Sequence, residues 1–502
     1  PPITTRKWKT PCSVNWEKSR TKTFWLLLIP LIRGLVALKF DFYNWASGAQ
    51  WDILAVTVMI AAAYMRWYCT SYEVTDDSVH IKTGVIVRRD TDIPFKCISA
   101  VTGEENPIYG KFGAIRLYID TDAVTGSRKQ ADVNIMTDRM TRAQLFNLLS
   151  AAFTEDEPKK INYTYKVSKR SLVAFSFLFS SALSGVALLI TAFSGSTDII
   201  GDQLERDFLT VVNDLSDVVA SRLGRLIKGI SPAGIAVSII IGVGFLISFA
   251  ENILRHINFT AGRRGKCIII SAGLIVKRMY CINSRRVNIA DMRQNLLMKF
   301  FGITSVHVNC TGYGKRKNEF PVFVPICSIR RINDGKSVRK LSSVMKMLLP
   351  DFSGAESYIN PRTTYIMRFI MPPALAVYGI LLLGMVLMIM FPHWYSLIWF
   401  MSILLEIPAI WLVFVKACAY CTNGINITDK SVCAKYSVWY SFHTITVPLE
   451  RVAEIRITQT IFQRMNRSCD VIIYTNSEYI GSHRITGLPI TEVQELIRER
   501  FK

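Results

Sequence analysis

The chain has 502 residues, half of them hydrophobic, yet it carries a formal net charge of +22. A mean hydropathy of +0.26 excludes an ordinary soluble protein, and 20% charged residues exclude a bare membrane bundle. Apolar and basic character must therefore occupy separate segments.

In chain order, residues 1–23 read as a basic tail, with Arg6, Lys7, Lys9, Lys18, Arg20 and Lys22 against Glu17 alone. Two apolar runs follow, Phe24–Leu38 and Trp51–Tyr64, within a first transmembrane pair at 24–66. Both are short against the about 20 residues a spanning helix needs. Residues 67–155 then alternate apolar and polar at Val79, Ile81, Val85, Val87, Ile115, Leu117 and Ile119, the period of half-buried strands, with Gly84 and Thr125-Gly126 at turns. Helical spacing takes over at Thr141–Ala152, opened by Thr141 and Gln144 as a capping box.

The plan repeats. Runs Ser171–Phe193 and Ala233–Ala250 form a second pair (166–251), separated by Asp198–Ile230, whose Leu204, Phe208, Val211, Leu215, Val218 and Leu226 make a helical apolar stripe. That stripe either packs over the bundle or lies in the outer interface. A second domain occupies 252–350 and closes with a helix at Ser337–Leu349. The third pair, Ile366–Met390 and Trp394–Val415 (362–415), leads into a third domain, 416–502, closed by a helix at Thr491–Phe501 with Thr491 and Gln494 as its capping box.

The soluble parts align without a gap. Ile93, Ile98, Val101, Ile108, Leu117 and Ile119 become Ile282, Val287, Ala290, Leu297, Val306 and Val308 on adding 189, and Val447, Val452, Ile455, Phe462, Val471 and Ile473 on adding 354. Apolar character at every one of these positions identifies an internal repeat.

Lysine and arginine mark the cytosolic side of a membrane protein. The basic tail contrasts with Phe42–Gln50, which has no basic residue, and with Phe391–His393, so the tail and all three domains are expected inside and Asp198–Ile230 outside. All eleven cysteines fall on the predicted inner side, which argues for a reducing compartment and against a disulfide framework. No cleavable signal pattern is visible.

The order of strands and terminal helix, the motif Gly84–Arg89 repeated as Gly273–Arg278, and Lys111-Phe-Gly113 echoed by Phe300-Phe-Gly302 resemble the bacterial pleckstrin-homology (PH) domain family. Three such units alternating with helix pairs are similar to YdbT-like membrane proteins. The third unit departs, with Val438 where Gly84 aligns and Arg467 where Gly113 aligns. The resemblance implies a multi-domain α+β membrane protein: six transmembrane helices in three pairs, each followed by a PH-like antiparallel β domain with a C-terminal helix. It also implies a bacterial cytoplasmic membrane location, a smaller YdbS-like partner carrying one unit, and a role in envelope protection or membrane homeostasis.

Basic character concentrates in the middle domain: 252–350 carries 19 lysines and arginines against three acids. Arg263, Arg264, Lys266, Lys277, Arg278, Arg285, Arg286, Arg293, Lys315, Arg316 and Lys317 are its candidate binding set. Each basic residue near an anionic leaflet gains about 1 kcal/mol, so anionic lipid headgroups are the favoured partner, ahead of an acidic protein or a merely solvated face. No aromatic platform interleaves the charges, which argues against nucleic acid. Inside the spans, Arg33 and Glu406 stand out, since an ionisable group in hydrocarbon is costly. A structural pair or a snorkelling Arg33 is weighed there against a proton-handling or transport role.

Cys418-Ala-Tyr-Cys421 lacks a second ligand pair, and Gly312-Tyr-Gly-Lys315 lacks the rest of a phosphate loop. No catalytic set is recognisable, so no enzyme, metal or cofactor is expected. The expected role is a membrane scaffold or regulator, with a transporter or lipid-handling machine as the rival.

Overall fold

The computed structural model describes residues 6–9, 50–121, 133–138, 163–181, 232–310, 322–329, 340–475 and 481–500, less 76, 112, 353 and 356, together with isolated positions 143, 146, 147, 186, 210, 211, 214, 218, 221 and 313.

The first unit holds β1 (Arg6–Lys9), helix α1 (Gln50–Tyr68), β2 (Ser71–Val74), β3 (Ser78–Thr83), β4 (Arg89–Pro94), β5 (Ile98–Glu105), α2 (Pro107–Lys111), β6 (Ala114–Thr121) and β7 (Val133–Asp138). The second runs from β8 (Tyr163–Lys166) through α3 (Lys169–Phe179), α4 (Pro232–His256), β9 (Thr260–Arg264), β10 (Cys267–Ala272), β11 (Lys277–Asn283), β12 (Val287–Asn295), α5 (Leu296–Phe300), β13 (Ile303–Cys310) and β14 (Val322–Ser328) to α6 (Leu341–Leu348). The third comprises α7 (Ile366–Met390), α8 (Tyr395–Thr422), β15 (Gly424–Ile427), β16 (Ser431–Val438), β17 (Ser441–Pro448), β18 (Val452–Thr458), α9 (Ile461–Met465), β19 (Ser468–Thr475), β20 (Ser482–Pro489) and α10 (Ile490–Arg500).

Each helix pair is an insertion into its unit rather than a preface to it. β1 pairs with β2, β8 with β9, and Ile359 with Ile425, all antiparallel, so the strand before each pair rejoins the sheet after it. Arg6–Lys9, expected as tail, is thus an edge strand. Because both ends of every insertion meet in one sheet, each must leave and return on the same side of the bilayer. Among the described residues, three helices are long and apolar enough to cross: Gly234–His256, Thr363–Met390 and Pro392–Thr422. The run Phe24–Leu38 lies outside the described residues, and α1 occupies the second run. In the third pair Gly384 packs against Ser402, the small-residue approach typical of helices in lipid.

The units are joined through their sheets. One seven-stranded sheet runs β7-β6-β5-β11-β10-β9-β8, and one six-stranded sheet runs β14-β13-β12-β17-β16-β15, so the second sheet of each unit continues into the first sheet of the next. The cores interlock accordingly. Cys267 and Cys281 of the second unit complete the core around Val79, Ile98 and Leu117 of the first, and Ile289 enters the core around Ile445 and Val471 of the third.

Local departures from the repeat have backbone causes. Gly84 (φ +116) and Gly273 (φ +108) open the loops after β3 and β10, where a Cβ would meet the carbonyl of Val87 or Val276. The third unit closes the equivalent hairpin in two residues, with Val438 paired to Ser441 and Trp439 carrying the positive φ of 49, so no glycine is needed at Val438. Arg467 (φ 46) takes the left-handed place held by Gly113 (φ 69) and Gly302 (φ 65).

Three expectations are corrected. Cys267 and Cys281 form a disulfide, because neighbouring antiparallel strands bring their Cα atoms to 6.3 Å. Thr491 is not an N-cap, since α10 begins at Ile490; a capping box exists instead at Thr460 and Gln463, starting α9. The middle closing helix is shorter than Ser337–Leu349, at Leu341–Leu348. The helix expected at Thr141–Ala152 lies largely outside the described residues. Of Asp198–Ile230 only Thr210, Val211, Asp214, Val218 and Ser221 are described, all helical and exposed.

Candidate membrane interface and unit junctions

The two junctions are the same interface used twice. At the first, Val101 lies opposite Cys281 and Glu104 opposite Arg278; at the second, Ala290 lies opposite Thr446 and Arg293 opposite His443. Subtracting the repeat offsets of 189 and 354 makes the two registers identical. A second contact repeats beside them. The short turns Phe95–Cys97, Ser284–Arg286 and Leu449–Arg451 connect β4 to β5, β11 to β12 and β17 to β18. Arg286 donates to the Lys96 carbonyl (3.3 Å), and Arg451 to the Arg285 carbonyl (2.9 Å). In each case the last residue of one turn clasps the middle residue of the turn before it. A groove of about 1000 Å³ runs along these turns, with Lys96, Arg285, Arg286 and Arg451 facing Asp351, Asp429 and Glu450.

The second junction also buries a polar network. Asp291 accepts from Arg293 Nε (2.6 Å) and lies 3.0 Å from His443 Nδ1. Tyr436 stacks on His443 at 5.2 Å between centroids and is hydrogen-bonded to His483 Nδ1 (2.7 Å). Burial would raise the Asp291 pKa, but the His443 hydrogen bond and the Arg293 guanidinium hold it below the carboxylate range. Burial pushes His483 down to about 4 and His307 well below its ordinary value. Both imidazoles are therefore neutral at pH 7. These histidines lie far apart in the chain, only strand pairing brings them together, and no spacing signal announces it.

At the opposite end of the sheets stand the helices, and there the surface is apolar. Gly273 and Leu274 donate backbone hydrogen bonds to Ile257 and Leu254 at the end of α4 (2.9 and 3.1 Å). The Tyr440 hydroxyl donates to the Pro408 carbonyl inside α8 (3.1 Å), and Lys416 reaches Ser437 (3.1 Å). Asn295 donates to the Leu178 carbonyl of α3 (2.7 Å), seating α5 against that helix. The side chains at this end are exposed: Ile86 by 96%, Ile275 by 54%, Trp439 by 70%, Phe300 by 79% and Phe462 by 77%. Of the repeated apolar positions, Leu297 and Phe462 are thus on the surface rather than in the core. An apolar position that recurs yet stays exposed needs an apolar medium outside the protein.

The described basic candidates do not form one patch. Arg263 donates to the carbonyls of Gly265 and Leu348, and Arg264 to Asn147. With Lys266, Arg285 and Arg286 they sit at the strand ends remote from α4, roughly 17 Å along a five-residue strand at about 3.3 Å per residue. Lys277 and Arg278 lie at the near end, and Arg278 pairs with Glu104 (3.3 Å). Lys315, Arg316, Lys317 and Arg33 lie outside the described residues. Glu406 is buried in α8 beside a cavity of about 430 Å³ that Tyr378, Trp399 and Ser402 also line. Among the described residues no group of three metal-ligating side chains converges.

Comparison with known proteins adds to this geometry. The family model for the bacterial PH domain matches three times, at residues 28–152, 210–343 and 372–500. The third match begins within α7, and the second and third end within α6 and α10. The chain is also similar to the UPF0699 transmembrane protein YdbT of Bacillus subtilis (strain 168), with 21% identity over 281 residues. That alignment covers 52% of this chain and 53% of the relative, so the chain spans about half the length of the relative it matches.

Proposed function

Since the chain belongs to the family of membrane proteins with bacterial PH domains, we propose that it is an integral scaffold or regulator of the bacterial cytoplasmic membrane, with its three units side by side on the cytosolic face. The observation that carries this reading is the pair of continuous sheets, which fix the three units in one array, together with the apolar loop tips at the helix-bearing end. Val85–Val87, Leu274–Ile275 and Val438–Tyr440, with the exposed faces of α5 and α9, enter the inner leaflet's interface. Aromatic residues such as Trp439 and Tyr440 favour that depth. Lys277 and Arg278, at the same end, meet anionic headgroups. Such an array stiffens and reads the membrane surface without chemistry, which fits a role in envelope protection or membrane homeostasis together with a smaller YdbS-like partner.

A second reading has one observation in its favour: the buried Glu406 carboxyl beside a cavity between α7 and α8, the arrangement of an ion or proton path. The two separate in a host strain lacking the gene and challenged with membrane-active peptides. Under the scaffold reading, protection is restored by the intact chain and by Glu406→Gln but not by a triple variant with Ile86, Ile275 and Trp439 changed to Ser. Loss of protection with Glu406→Gln and retention with the triple variant would favour transport.

A further inference from the structure

The two junctions leave one end of the array unfinished. β18 of the third unit is the strand equivalent to β5 and β12, which are each paired on both sides, but among the described residues it pairs only with β19. Its exposure follows: along β5 the first six residues are buried and along β12 the first five, whereas none of the seven residues of β18 is. Ile455 and Ile457 occupy the positions that Val101 and Gly103 hold at the first junction, opposite Cys281 and Met279. The edge is long enough to recruit another strand and is guarded only by the exposed Arg456–Glu454 pair (2.8 Å).

We infer that this edge is the docking site for the first sheet of a fourth PH-like unit carried by a separate polypeptide, added in the register of the two internal junctions. The inference rests on the scaffold reading above. It extends an interface this molecule already uses twice, and a peptide strand added to a sheet edge is a general recognition mode.

A second copy of this chain is a poor occupant. Among the described residues its unpaired strand of the right type is β4, and the shared register would set Asp92 opposite Ile455 and Asp90 opposite Ile457, turning two carboxylates onto the open end of an apolar core. Arg89 would lie diagonally across from Arg456, a like-charge contact. The clasp would also fail, because the residue of the first unit equivalent to Arg286 and Arg451 is Cys97. The partner unit therefore carries uncharged side chains where β4 has Asp90 and Asp92, and an arginine at the end of its following turn that donates to the Glu450 carbonyl.

The test places the photo-cross-linking residue p-benzoylphenylalanine at Arg456 of the full chain in host membranes, with Met279 as an internal control. The expected result is an adduct at Arg456 to a different polypeptide, whose cross-linked peptide maps to the fourth strand of a PH-like unit and is followed by an arginine in the next turn. An adduct to β4 of a second copy would overturn the inference. So would an adduct to a protein without this unit, to lipid alone, or no adduct. The Met279 probe must at the same time cross-link to β5 within the chain. Its failure would condemn the array itself, whereas its success without the Arg456 adduct would condemn only the docking edge.

Discussion

At the level of single residues, the repeat is informative where it is broken. Arg467 occupies a left-handed position that two other units give to glycine, and a side chain there costs roughly 1 kcal/mol. Arg467→Gly is therefore expected to raise the stability of the third unit by about 0.5–1 kcal/mol, read as a higher melting temperature in detergent. This departure was legible in the sequence as a misaligned glycine; the Asp291–His443–Tyr436–His483 network was not, because its members lie on strands far apart in the chain. That network gives the molecule an acid limit. His483 has a folded pKa of about 4 against an ordinary 6.5, so its contribution is whole above pH 6.5. Below that the unfolded chain takes up the proton first, and stability falls as pH drops towards 4, by up to about 1.4 kcal/mol per pH unit within the window. Buried neutral His307 acts in the same direction. The melting temperature should therefore decline between pH 6.5 and 4, and His483→Gln should flatten the decline; a profile unchanged by that substitution would remove His483 from the explanation.

Among the elements, period-two alternation located the strands at Val79–Ile81 and Ile115–Ile119 but misplaced Val85 and Val87, which lie exposed in a loop, and the apolar runs located the long helices α4, α7 and α8. Their partners could not be read. The strand before each helix pair is separated from its neighbour by the whole insertion, so local pattern assigns Arg6–Lys9 to a tail and leaves Tyr163–Tyr165 outside every domain. Edge pairing between units is equally silent, since β5 and β12 look like any amphipathic strand until their partners are known. The junction register supplies a direct check. Glu105 lies opposite Lys277 at the first junction, and Asn295 opposite Ser441 at the second. The double variants Glu105→Cys with Lys277→Cys, and Asn295→Cys with Ser441→Cys, should each oxidise to an intrachain disulfide identified by peptide mapping. Moving one cysteine two residues along either strand should weaken the link sharply; equal yields at both registers would mean that the units are tethered rather than joined.

For the molecule as a whole, hydropathy and the lysine and arginine asymmetry conveyed membrane residence, and the apolar repeat conveyed three like units. What they could not convey is that an apolar repeated position can face outward. Leu297 and Phe462 align with Ile108 and look like core in sequence, because the membrane and the protein interior select the same side chains. Basic charge is distributed differently: in the middle unit Arg263, Arg264, Arg285 and Arg286 stand at the ends of the strands away from the helices, where Arg263 and Arg286 donate to carbonyls. In the proposed arrangement one array presents three apolar tips to one leaflet. Nitroxide labels on cysteines placed at Ile86, Ile275 and Trp439, with Arg285 as an aqueous reference, probe this in the full chain reconstituted in bilayers, by comparing accessibility to oxygen and to a water-soluble nickel complex. All three tips should be rich in oxygen collisions and shielded from nickel at similar depth; a tip as open to nickel as Arg285 would rule the arrangement out.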